Sequence, residues 1–252
     1  MLNAIFLTGL FLLAHVFVFY LIAQFKRNNG IADLAWGLGF ILVAVVSLVY
    51  FEPNGFLAML LNALVFIWGL RLFSHILRRN WGRPEDFRYQ NFRKKWGKWF
   101  LIRGFTDVFL FQGFLLLIIA LPIIYVNFND PKLTVFSYLG GLLWLIGFFF
   151  EVVGDHQLSQ FIEHKKPGQI MKTGLWKYTR HPNYFGESVM WWGIFLMTLS
   201  IQSWYLIISP LLITFLIRFV SGVPMLEKKY EGSAEFETYK KKVPVFFPRF
   251  RD

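Results

Sequence analysis

The chain contains no cysteine. That excludes disulfides, thiolate nucleophiles and Cys-ligated metals. Charge is scarce, at 16% of residues, and acid is the scarcer sign: 15 Asp and Glu stand against 26 Lys and Arg, a net +11. No internal repeat, low-complexity tract or polar second domain interrupts the 252 residues.

Apolar residues make up 56% of the chain, with 31 Phe among them, and they come in long blocks. A soluble domain of this length is rarely so apolar. A basic surplus in a soluble protein would point to nucleic acid. Here the cations lie between apolar blocks, which argues for membrane topology and against a nucleic-acid partner. The first block is too long for a signal-peptide core and has no basic segment before it, so it is read as a retained span.

A bilayer core takes roughly 20 apolar residues per helix. The blocks predict an all-α polytopic membrane protein with seven spans, near 2–25, 31–50, 55–77, 106–126, 134–153, 184–199 and 204–220. Every second connection is basic: Lys26 and Arg27, the run from Arg78 to Arg103, the run from Lys165 to Arg180, and the tail from Arg218. The connections "EPNG", "NFNDPK" and "SIQS" are not. The positive-inside rule then puts the N-terminus outside and the C-terminus in the cytoplasm. Residues 1–252 are expected to form a single integral membrane domain. Its 1–105 part carries three spans and a basic interfacial segment, in which "NFRKKWGKWFLIRGF" suits a helix at headgroup depth. Its 106–252 part carries spans 4–7 and the tail and is expected to form the cofactor-binding half.

Ionisable groups near span ends are the candidates for chemistry. Glu151 and Asp155 share a helical face, as do Arg71 and His75; Glu187 and Arg218 join them at ends that face one side. Snorkelling anchors are the competing account of the arginines. The segment "TRHPNYFGE" (179–187) is unusually polar beside a span. Pro182 fits the first turn of a helix, so a helix is expected from His181 or Pro182. Free backbone N–H groups there, the Arg180 fork, the Asn183 amide, the Tyr184 ring and Gly186 together describe a site for a large anionic cofactor. A plain interfacial cap is the alternative reading.

"GLWKYTRHPNYFGE" (174–187), the following "WWG", and the closing "LEKKY", Tyr239 and "VPVFFP" resemble the signature of membrane steroid 5-alpha-reductases and sterol reductases. "IADLAWGLGF" (31–40) and "GRPEDFRYQNFR" (82–93) resemble a bacterial branch of that superfamily. The resemblance is strongest over 151–250. It implies seven spans and NADPH held by Asp155, Arg180, His181, Asn183, Tyr184, Glu187, Arg218, Tyr230 and Tyr239. It also implies hydride transfer to a conjugated carbon–carbon double bond of a membrane-dissolved, steroid-like lipid. His75 and Asp33 are then the catalytic candidates and Trp36 the substrate-binding one. The expected location is a bacterial inner membrane, with the site opening to the cytoplasm.

The chain departs from that pattern at Ile162, where a basic residue is usual, and at Glu231, which displaces a glycine to Gly232. Isoprenylcysteine carboxyl methyltransferases share a similar Arg-His-Pro segment, and Glu227 leans toward them. An S-adenosylmethionine-dependent methyltransferase and a non-catalytic lipid-binding membrane protein are the other readings.

Overall fold

In the computed structural model, which describes residues 1–80, 82–166 and 168–250, every regular element is helical among those residues. Six helical stretches are long and apolar enough to cross a membrane: Leu2–Lys26, Ile31–Phe51, Phe56–Asn80, Phe87–Ile119, Val135–His164 and Trp204–Tyr230. Large apolar side chains stand exposed along them, including Phe6, Phe17, Val49, Phe114 and Leu142. Such a surface suits lipid, where the helix satisfies its own backbone. The chain is an integral membrane protein.

It divides into two compact units, Met1–Leu133 and Thr134–Asp252. The first unit opens with α1 (Leu2–Lys26), α2 (Ile31–Phe51) and α3 (Phe56–Asn80), close to the first three expected spans. Gly37 lets α2 and α3 touch, since a Cβ there would lie 2.8 Å from the Gly69 carbonyl oxygen.

The fourth expected span is different in form. Its helical path begins early, with α4 (Phe87–Trp96), and runs through a 3-10 turn, α5 (Phe100–Arg103) and a π-helical stretch (Gly104–Leu110) into α6 (Phe111–Ile119). The aromatic and basic segment is therefore helical and continuous with the span. The path breaks at Ala120, and α7 (Leu121–Asn129) restarts with Pro122 in its first turn. Proline has no N–H to continue the ladder and clashes with the preceding turn, so the break falls where it must.

Polar side chains tie this unit together. Asn62 and Asn127, both buried, exchange amide hydrogen bonds of 2.6 and 3.1 Å, and Asn127 also donates to Ser47 Oγ at 2.7 Å. The Asp130 carboxylate accepts from the Asn54 and Gly55 N–H groups before α3. Glu85 accepts from the Asn29 N–H at 2.9 Å and pairs with Arg93 at 3.0 Å.

The second unit is built on α8 (Val135–His164) and α9 (Pro182–Met197). A capping box of Thr134 and Ser137 starts α8, which runs past the expected end of its span. Gly140, Gly147 and Gly154 recur every seventh residue along it, and Gly186 and Gly193 do so along α9. A Cβ on Gly140 would sit 2.5 Å from the Gly193 oxygen, and one on Gly147 would sit 2.6 Å from the Gly186 oxygen. One on Gly154 would sit 3.0 Å from the Asn183 nitrogen. The rungs climb α8 as they descend α9, so the helices run antiparallel with backbones touching. Small residues allow this approach where lipid supplies no hydrophobic drive between helices.

Helix α9 starts at Pro182, as its proline predicts, but has only 16 residues. At 1.5 Å rise that is about 24 Å, short of the ~30 Å hydrocarbon core. It stops because side chains take over its carbonyls: Thr198 Oγ1 donates to Phe195 O, and Ser203 Oγ donates to Thr198 O. The chain returns through a 3-10 turn (Trp204–Ile207), α10 (Ile208–Phe215) and a π-helical stretch (Leu216–Val220). It ends in α11 (Val223–Glu227), a second 3-10 turn (Lys228–Tyr230) and α12 (Ala234–Lys242).

The ladder predicts opposite outcomes for neighbouring glycines. Gly147→Ala forces a Cβ into backbone and is expected to cost about 1–3 kcal/mol. Gly141→Ala meets nothing within 4 Å and should be neutral or slightly stabilising. Thermal unfolding of the two variants in one detergent checks the order; equal melting temperatures would contradict the close approach.

Candidate functional site

The first turn of α9 is held from three sides. Gly154, at the last rung of the ladder, sets α8 against Pro182 and Asn183. Asp155 therefore meets Asn183, whose Nδ2 donates to Asp155 Oδ1 at 2.8 Å. That bond fixes the amide and leaves Asn183 Oδ1 buried with no partner.

The second hold is Glu227, at the end of α11. Its carboxylate accepts from Arg180 Nε at 2.8 Å and lies 3.0 Å from His181 Nε2. Both partners are largely covered, at 11% and 6% side-chain exposure, so the bonds are poorly screened. Burial lowers the His181 pKa below its ordinary 6.5; hydrogen bonding and attraction to Glu227 oppose this, while Arg180 and Arg218 add to it. A neutral imidazole donating Nε2–H to Glu227 keeps Nδ1 as an acceptor. That Nδ1 is buried and has no partner.

The third hold is the tail. Residues 178–180 and 243–249 lie side by side: the Arg180 N–H donates to Pro244 O and the Arg249 N–H to Tyr178 O, each at 2.9 Å. Thr179 Oγ1 donates to Phe246 O at 2.8 Å, and Arg180 Nη1 to Val243 O at 2.7 Å. Tyr239 donates its hydroxyl to Trp176 O, and Trp176 Nε1 donates to Gly154 O at 3.1 Å. Burial pushes the Tyr239 pKa up. Such a phenol acts as a donor, not as a base.

Of the residues singled out in the sequence, Asp155, Arg180, His181, Asn183 and Tyr184 share this neighbourhood. The Tyr184 ring stacks on His181, with centroids 5.7 Å apart and planes 15° apart. Glu187 lies one turn beyond Asn183 on α9. Arg218 is close enough for its charge to bear on His181, and its guanidinium lies 4.7 Å over the Phe219 ring. Tyr230 and Tyr239 pack with Ile170, Phe236 and Val243 in a small apolar cluster that seats α12.

His75, Asp33 and Trp36 belong to the other unit. Asp33 accepts from Arg88 Nη2 on one oxygen and from the Tyr89 hydroxyl on the other, each at 2.9 Å. The Trp36 ring packs edge-on against Phe40. The two motifs "IADLAWGLGF" and "GRPEDFRYQNFR" thus pack on each other through Asp33.

Sequence reasoning missed the organising role of Glu227 and a third partnerless buried atom, Ser188 Oγ, on α9. Ser188 follows Glu187 directly, but a serine in a helix carries no signal of its own. Three buried polar atoms without a protein partner in and just before the first two turns of one helix are an exception that a bound group or a water would satisfy. Two of them, His181 Nδ1 and Asn183 Oδ1, are acceptors. They fit a ligand that offers N–H or O–H groups, such as a carboxamide or a ribose. The positive end of α9 and Arg218 fit its anionic part.

A family model described as a protein of unknown function, DUF1295, matches residues 19–243. The chain belongs to that family. It is 39% identical over 80 residues to 3-oxo-5-alpha-steroid 4-dehydrogenase 1 of Bos taurus, which covers 30% of this chain and 28% of the relative. It is 32% identical over 140 residues to protein-S-isoprenylcysteine O-methyltransferase of Saccharomyces cerevisiae, covering 48% of this chain and 56% of the relative. An uncharacterized protein of Schizosaccharomyces pombe is 23% identical over 220 residues, covering 76% of the chain and 63% of the relative. The chain thus spans under two thirds of each of these relatives.

The His181 environment predicts a pH dependence. Unfolded chain takes a proton near 6.5, whereas folded chain takes it only at lower pH. The unfolded state therefore binds more protons in that interval, and stability falls as pH drops below about 6.5. His181→Gln should flatten this fall. Melting curves between pH 5 and 7 measure it; an unchanged slope in the variant would assign the fall to other groups.

Proposed function

We propose that the chain is a membrane reductase that uses NADPH to reduce a conjugated carbon–carbon double bond of an apolar, steroid-like lipid. The observation that carries this reading is the pair of buried acceptors without partners, Asn183 Oδ1 and His181 Nδ1, in the segment that resembles steroid reductases. The similarity to the Bos taurus enzyme supports it. The loop charges support seven crossings, an outside N-terminus and a site opening to the cytoplasm of a bacterial inner membrane.

When bound, NADPH supplies the hydride; the chain supplies binding, orientation and proton control. In this proposal Asn183, held by Asp155, and His181, held by Glu227, accept hydrogen bonds from the cofactor's amide and hydroxyl groups. Tyr184 and Glu187 line the same stretch of α9. Arg218 has no ion-pair partner among the described residues and is the proposed phosphate contact. The Arg180 fork is taken up by Glu227 and Val243 O, so Arg180 is proposed to act through the tail it fastens. Tyr230 and Tyr239 seat α12. Within the first unit, His75 is proposed as a proton donor and Trp36 as a substrate contact. Asp33, with both oxygens engaged, is proposed to position them by holding Arg88 and Tyr89.

A second reading, S-adenosylmethionine-dependent methyl transfer, is favoured by one observation. The Saccharomyces cerevisiae methyltransferase matches a longer stretch of the chain than the steroid enzyme does.

Asn183→Ala is the test. It removes the buried acceptor and, with it, the donor to Asp155. The variant should still fold, melting somewhat below the parent, while its NADPH affinity falls by about tenfold or more, as for a lost buried hydrogen bond. Titration calorimetry in detergent measures this, and parental affinity in a folded variant would contradict the site.

A further inference from the structure

A separate feature of the second unit is a cleft of about 350 Å³ between the 172–177 segment and α12. Lys172, Lys177 and Lys242 line it, with Thr238, Tyr239 and Val243 among its other walls. Glu235 also lines it but pairs with Lys172. Lys177 and Lys242 have no ion-pair partner among the described residues. Three ammonium groups against one carboxylate give the cleft a net positive charge. A phosphate is the group that such a set of flexible point charges recognises.

The position selects the source of the phosphate. Lys172 follows the end of α8 by eight residues, and Lys177 precedes Pro182 by five. Five residues reach at most about 18 Å, so the cleft cannot stand far from the membrane face of these helices. Aromatic rings stand beside one of its lysines: Lys177 lies 5.7 Å from the Tyr178 ring, and that ring lies 4.9 Å from Phe250, which is 68% exposed. Cations beside exposed rings suit the interface of an anionic bilayer. The volume lies at the small end of ligand pockets.

We infer that this cleft holds the headgroup phosphate of an anionic phospholipid. Bound there, the lipid bridges the loop before α9 to the tail helix, at a place distinct from the buried acceptors of α9. The inference does not rest on the proposed reaction.

The experiment compares the parent with the triple variant Lys172→Gln, Lys177→Gln, Lys242→Gln in neutral detergent. Phosphatidylglycerol and phosphatidylcholine are titrated separately, read by native mass spectrometry and by melting temperature. The parent is expected to retain phosphatidylglycerol and to melt higher with it, and to ignore phosphatidylcholine. The glutamine variant should lose affinity for phosphatidylglycerol by about a hundredfold, since each of the three lysines near an anionic surface contributes roughly fivefold. The matching triple arginine variant should keep it, which separates lost charge from lost fold. A control outside the cleft, Lys132→Gln, should also keep it. Equal retention by parent and glutamine variant overturns the inference. So does a loss that arginine fails to restore, or a parent shift reproduced in full by inorganic phosphate.

Discussion

The backbone contact between α8 and α9 is the constraint on which the second unit depends. Five glycines spaced by sevens remove the side chains that would hold two helices apart. The contact has chemical consequences because its last rung is Gly154 against Asn183. The next residue, Asp155, is then placed to accept from the Asn183 amide, and the amide's own oxygen faces the site without a partner. A larger residue at any rung would push the Asp155–Asn183 bond out of reach as well as loosen the pair.

Glu227 does for the loop what the ladder does for the helix. It joins Arg180 and His181, which lie 47 and 46 residues away in sequence. Removing one partner of such a covered cluster leaves the others with unbalanced charge, which costs more than the pair itself contributes. The same carboxylate selects the imidazole tautomer that keeps Nδ1 available. Structural lock and proposed binding surface are therefore one set of bonds. The tail completes them through backbone carbonyls of 243–246, so its exact side chains matter less there than its path.

Much of this was legible in the sequence. The lengths of the apolar blocks gave the helical membrane class, and Pro182 gave the start of α9. Asn183 and Asp155 are both site candidates by residue type and position, though nothing in the sequence joins them. The broken fourth span was harder, since Pro122 within an apolar run admits either a kink or a restart. The short α9 was hidden because Thr198 and Ser203 end it by side-chain bonds that hydropathy does not register. The Arg180 fork suits an anionic cofactor by its type; its engagement by Glu227 is a tertiary pairing with no sequence period. Asp33, Arg88 and Tyr89 illustrate the same limit, as two motifs noted separately form one polar contact.

The central claim is that the first turns of α9 bind a reduced dinucleotide. The direct measurement is the melting temperature of detergent-purified protein, titrated separately with NADPH, NADH and S-adenosylmethionine. A ligand that binds only the folded state raises it in a concentration-dependent way. The account predicts a rise with NADPH and none with S-adenosylmethionine. A rise with S-adenosylmethionine alone, or with none of the three, would contradict it.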